Sequence, residues 1–102
     1  MARIVLNVIY DHPTDPQAFE AYYADTHMPI AERIPDVERL VLLKALPGAD
    51  GAPAPWYRTA QIFFADAARM EAAMASPEAQ AAVADLANFA TGGVRVVVAE
   101  VV

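Results

Sequence analysis

Arg3-Ile4-Val5-Leu6-Asn7-Val8-Ile9-Tyr10 reads as a strand with no face suited to water. Side chains alternate across a strand, so Ile4, Leu6 and Val8 share one side while Val5 and Ile9 share the other. The closing stretch, residues 94–102, repeats the pattern, with Val96 and Val98 on one side and Val97, Ala99 and Val101 on the other. Antiparallel sheets that carry helices on one face ordinarily turn polar residues to the opposite face. Here the opposite face is apolar too, and the simplest cover for it is the same face of a second copy. Two sheets packed in that way close a barrel around a two-fold axis.

Between these two strands the chain punctuates itself clearly. Asp15 can cap a helix, Pro16 suits its first position, and Phe19, Tyr22, Tyr23, Thr26 and Ile30 recur at helical spacing. Pro29 should kink or end the regular helix near His27 or Met28, leaving a short extension to Ile34 before Pro35. Residues 37–46 form a second strand, residues 47–55 a loop rich in Pro and Gly, and residues 56–64 a third strand. Asp66 caps an alanine-rich helix through Ala75, Ser76-Pro77-Glu78 restarts it, and it runs to about Phe89 before Gly92-Gly93. The order β-α-β-β-α-β is ferredoxin-like. The expected fold is therefore α+β, a four-stranded antiparallel sheet in a dimeric α+β barrel, with residues 1–102 as one domain.

Composition narrows the function classes. The 102 residues include no cysteine, which excludes disulfides and thiolate metal sites. A net charge of −6 without a basic stripe argues against nucleic acid as a partner. No apolar run nears the ~20 residues of a membrane span. Met1-Ala2-Arg3-Ile4 enters a strand directly and has no small-residue cleavage site, so the expected location is cytoplasmic. Hydrophobic residues make up 57% of the chain, which again calls for apolar surface covered by a partner.

The stretch Phe19-Glu20-Ala21-Tyr22-Tyr23-Ala24-Asp25-Thr26-His27-Met28-Pro29-Ile30, followed by Ile34-Pro35, resembles the signature of the EthD family. That signature is an aromatic-rich first helix ending in a histidine, with a proline two residues later and another before the second strand. Ser76-Pro77-Glu78, Asp85, Asn88-Phe89-Ala90 and Gly92-Gly93 are similar to the family's second helical region. The resemblance implies a homodimeric α+β barrel. It also implies a link to bacterial catabolism, since the family is named for a protein associated with degradation of ethyl tert-butyl ether through a cytochrome P450 system. Similar barrels include cyclases, lactone isomerases, dehydratases and heme- or quinol-directed monooxygenases, so the fold alone leaves the reaction open.

Among the residues, His27 is the sharpest candidate for chemistry, because imidazole exchanges protons near neutrality. On a helical wheel it sits at the margin of the aromatic stripe, where it either borders a pocket or caps the helix by binding a carbonyl. Tyr23, one turn earlier, could orient a substrate, and Tyr22, Phe19 and Phe89 could stack on one; as a stripe they equally suit the core. Asn7 and Gln61 interrupt apolar strands that lie side by side. They are a pocket floor, a mutual pair or a contact at the dimer seam. Asp85 is a ligand-binding candidate whose ordinary fate is solvent or a salt bridge. The topology sets it far from His27, which weakens a His27–Asp85 dyad.

His12 and His27 are separated by roughly 18 Å of helix, so they share no metal. Nucleotide and metal motifs are absent, and no cofactor is expected. Two functions remain beside a purely structural role, a barrel with a filled interior. One is a small enzyme doing general acid–base chemistry of the isomerase, cyclase or dehydratase kind on a hydrophobic or aromatic carbonyl compound. The other is a binding or carrier module for an apolar catabolite serving an oxygenase system.

Overall fold

In the computed structural model, which describes residues 2–102, the chain folds as β1 (Ile4–Tyr10), a first helical region, β2 (Arg39–Lys44), β3 (Arg58–Phe64), a second helical region and β4 (Val94–Glu100). Met1, part of the segment read for a leader, lies outside the described residues. The strands pair antiparallel in the order β2-β3-β1-β4, the α+β ferredoxin-like sheet expected from the element order.

Register decides which residues share a face. Leu6 stands opposite Ile62 and Val98, and Val8 opposite Ala60 and Val96. Leu40 and Leu42 extend this set across β2. It is the helix side, since Tyr10 of the same parity packs its ring on Phe19, Tyr23 and Phe89. Val5, Phe63 and Ala99 align on the opposite side, with Val41, Leu43 and Val97 beside them. The helices straddle the central strands and leave both edges bare. Val97 on the open face is 49% exposed and Val98 on the helix face 52%.

The strands are shorter than the sequence suggests. The last pair of the β2–β3 ladder is Lys44 with Arg58, and beyond it the Tyr57 N–H donates instead to the Tyr10 carbonyl at 2.7 Å. That switch excludes Trp56 and Tyr57 from β3. At the other end Asp36 takes a left-handed turn, φ 61°, just before β2, which removes Val37 from the strand.

The first helical region departs from one regular helix. It comprises α1 (Pro16–Tyr22), a π-helical turn (Tyr23–His27) and α2 (Met28–Ala31). Asp15 caps it through the Ala18 N–H at 3.1 Å. The Met28 N–H donates to the Tyr23 carbonyl, five residues back. Pro29 lacks an N–H and would break an uninterrupted α-helix here. Placed after the wide turn it falls in the first turn of α2, where that N–H is not needed. The second region comprises α3 (Ala67–Met74), α4 (Pro77–Asp85) and a 3₁₀ turn (Leu86–Asn88). Asp66 and Ser76 cap α3 and α4 as read from the sequence.

Candidate functional site

The π turn places the histidine. In an α-helix each residue advances about 100°, which would stack Thr26 above Phe19 and leave His27 at the stripe's edge. A wider turn advances less per residue. His27 therefore comes round onto the inner face with Phe19 and Tyr23, and Thr26 turns to solvent. His27 is 5% exposed, so it is part of the interior rather than at the margin the wheel gave it.

Phe89 sets the alignment of the two helical regions. Its ring lies 5.2 Å from Phe19, 5.3 Å from Tyr22 and 4.6 Å from His27, centroid to centroid. The regions run antiparallel, so one turn back from Phe89 and one turn on from Tyr23 the chain brings Asp85 and His27 level. His27 Nδ1 lies 2.9 Å from Asp85 Oδ2. The expectation that topology separates them is corrected: after the break before Pro77, α4 packs along α2 while α3 packs on β3. Asp85 is neither solvated nor in a surface salt bridge but 6% exposed.

Three donors converge on that carboxylate. Tyr22 Oη donates to Oδ1 at 2.6 Å, Asn88 Nδ2 donates to Oδ1 at 2.9 Å, and His27 supplies the contact to Oδ2. Burial pushes the Asp85 carboxyl up, but the hydrogen bonds from Tyr22, Asn88 and His27 outweigh it and hold the group below the usual carboxylate range. An ionised Asp85 accepts a proton donor at Nδ1. In the neutral imidazole this leaves the lone pair on Nε2.

Nε2 faces a cavity. Between helices and sheet lies a space of about 470 Å³, walled mainly by aliphatic side chains such as Leu6, Val8, Ile34 and Ile62. His27, Tyr10 and Tyr23 are also in its wall. Among the described residues nothing hydrogen-bonds His27 Nε2 or the hydroxyls of Tyr10 and Tyr23, and none of the three atoms is fully buried. Burial pushes the Tyr23 phenol up to about 12 and the Tyr10 phenol further, so both remain donors. Arg58 lies 5.2 Å above the Tyr23 ring and is itself gripped by Glu20, with Nε 2.8 Å from Oε2.

Other expected site residues fall elsewhere. Asn7 and Gln61 do not floor this cavity: they share the open face of the sheet, because their parity is opposite to that of Leu6 and Val8. There Gln61 Nε2 donates to Asn7 Oδ1 at 3.4 Å and Asn7 Nδ2 to the Val97 carbonyl at 3.1 Å, the mutual pair among the readings. Phe19, Tyr22 and Phe89 stand behind the histidine and border a smaller cleft of about 260 Å³ rather than the main cavity. His12 holds the β2–β3 loop, Nε2 2.6 Å from the Ala54 carbonyl. Among the described residues no three His, Asp or Glu side chains gather around a metal-sized space. Tyr10 and Asn88 were missed. Extending the strand alternation two residues past Val8 puts Tyr10 on the helix side, whereas Asn88 needed the 3₁₀ turn to be known.

Comparison with known proteins matches residues 11–93 to the EthD domain. A Rhodococcus erythropolis protein, the uncharacterized 11.0 kDa protein in the thcB-thcC intergenic region, is 44% identical over 89 residues, covering 87% of this chain and 85% of its own. A solved ethyl tert-butyl ether degradation (EthD) family protein from Bacillus halodurans superposes over 100% of both chains with a TM-score of 0.91 at 24% identity. A dimeric ferredoxin-like protein of unknown function from Thermobifida fusca gives a TM-score of 0.73 at 14% identity over 98% of this chain and 92% of its own. The hydroxynitrile lyase of Passiflora edulis gives 0.74 at 13% identity over 97% of this chain and 94% of its own.

Proposed function

Since this chain belongs to the EthD domain family, we propose from its own site that it is a small acid–base enzyme acting on an uncharged hydrophobic or aromatic carbonyl compound. One observation carries the reading. His27 presents an unpartnered Nε2 to an apolar cavity of about 470 Å³ while Asp85 fixes Nδ1 at 2.9 Å. A base needs a free lone pair and a held tautomer, and the unpartnered Nε2 with Asp85 at Nδ1 supports both. Tyr23 is the substrate-orienting group. A lyase of hydroxynitriles on the same fold is an analogy at the level of fold and lends only that weight.

The test is a thermal-shift panel of aromatic lactones, quinones and ketones, followed by mass spectrometry of the hits. His27→Asn keeps an amide at the Nδ1 position against Asp85 and deletes Nε2. It should abolish turnover of any hit and move the melting temperature by no more than a few degrees. Activity retained in that variant sinks the reading. Hits that bind without product favour the carrier reading, which the aliphatic wall of the cavity also suits.

Pairing of two copies through the open sheet face belongs to the same proposal. Leu43 and Val97 on that face are exposed, and a neighbour of this fold is dimeric. An interface of the usual size covers about 800 Å² per partner. Sedimentation at micromolar concentration should give a dimer, and a folded monomer there overturns it.

A further inference from the structure

The cavity holds a second phenol that the acid–base reading does not use. Tyr10 ends β1 and is 1% exposed, yet its hydroxyl bonds to nothing among the described residues and opens on the cavity that His27 lines. The hydroxyl keeps some accessible surface, so water can bond it in the free protein, and a ligand acceptor that reaches it takes that water's place. The Tyr10 ring is also held rigidly, with Tyr23 at 5.7 Å, Phe19 at 5.4 Å and Phe89 at 5.6 Å between centroids. A donor fixed by packing needs no reorganisation when charge develops beside it.

We infer that Tyr10 is a catalytic hydrogen-bond donor to the carbonyl oxygen of an enolisable ketone or lactone, and that His27 Nε2 removes the proton on the adjacent carbon. The inference rests on the acid–base reading of His27 and adds to it the reaction class. The step balances within the site. The C–H bond breaks, and its electron pair forms the carbon–carbon double bond. The carbonyl π pair moves onto oxygen, where the Tyr10 O–H, with Tyr23 beside it, meets the negative charge. The proton rests on Nε2 and returns to the same carbon, or to the far end of a conjugated system, which makes the net reaction an isomerisation. No oxidant or reductant enters. Asp85 stays ionised opposite the imidazolium that forms.

The experiment uses 2-tetralone, an uncharged bicyclic ketone with acidic α-hydrogens, in D₂O, with proton NMR to follow loss of the α-hydrogen signals. The full-length protein should accelerate exchange above the buffer rate. Tyr10→Phe should lower that acceleration about 10²–10³-fold, the usual cost of one oxyanion donor, with the melting temperature unchanged or raised. His27→Asn should remove it. Exchange in Tyr10→Phe equal to the unmodified protein overturns the role of Tyr10 and leaves the histidine reading standing. Acceleration that survives in His27→Asn, or none in the unmodified protein, overturns both.

Discussion

At the scale of single residues, Asp85 is the hinge of the site. It holds His27 in one tautomer, and Tyr22 and Asn88 hold it in turn. Asp85→Asn should place an amide N–H against Nδ1, move the imidazole proton to Nε2 and so lower activity by about 10²–10⁴. Nitrogen-15 NMR of the imidazole would report the exchanged tautomer directly. The same carboxylate makes a pH prediction. Its folded pKa lies below the unfolded value of 3.8, so its contribution to stability is complete above that value and disappears as the pH falls through the folded one. Urea melts of the unmodified protein and of Asp85→Asn should therefore differ most at neutral pH and converge below about pH 4. A gap that widens in acid contradicts the arrangement.

At the scale of elements, the site exists because two helical regions are locked side by side. Part of that lock lies where β4 begins. A Cβ on Gly92 would come within 2.1 Å of the His12 carbonyl, while the Asp11 N–H donates to the Gly93 carbonyl at 3.1 Å and the Thr14 N–H to Thr91 Oγ1 at 3.1 Å. These contacts tie the start of α1 to the end of the second region. Gly92→Ala should cost about 1–3 kcal/mol. For a chain of this length that is roughly 4–8 °C of melting temperature per kcal/mol, read by calorimetry. This scale also shows what was legible beforehand. Strand alternation located both apolar faces, and Asp15, Asp66 and Ser76 announced the helix starts, because each rests on neighbours in sequence. The His27–Asp85 contact does not. It depends on a π turn forced near Pro29 and on how α4 packs along α2, and no periodicity encodes either. Asn7 alternates with Leu6 and so lies on the opposite face, whereas the face of Gln61 follows only from its pairing with Asn7.

At the scale of the whole molecule, the sheet divides the labour. Its helix side borders the cavity, and its other side carries the exposed Leu43 and Val97, the face proposed above to meet a second copy. Val97→Glu should leave the helical signal in circular dichroism intact and shift sedimentation from dimer toward monomer, since an unpaired charge cannot be buried in such an interface. Smooth aliphatic surfaces slide, because dispersion and water exclusion are indifferent to alignment. Asn7 and Gln61 sit at the centre of that surface, joined to each other and to the Val97 carbonyl. Any docking that drove these amides against a neighbour's hydrocarbon would strand their remaining donors and acceptors. A small polar island of this kind makes the greasy plane anisotropic: in the proposed pair it would add little grip but would tell one rotation and offset apart from all the others.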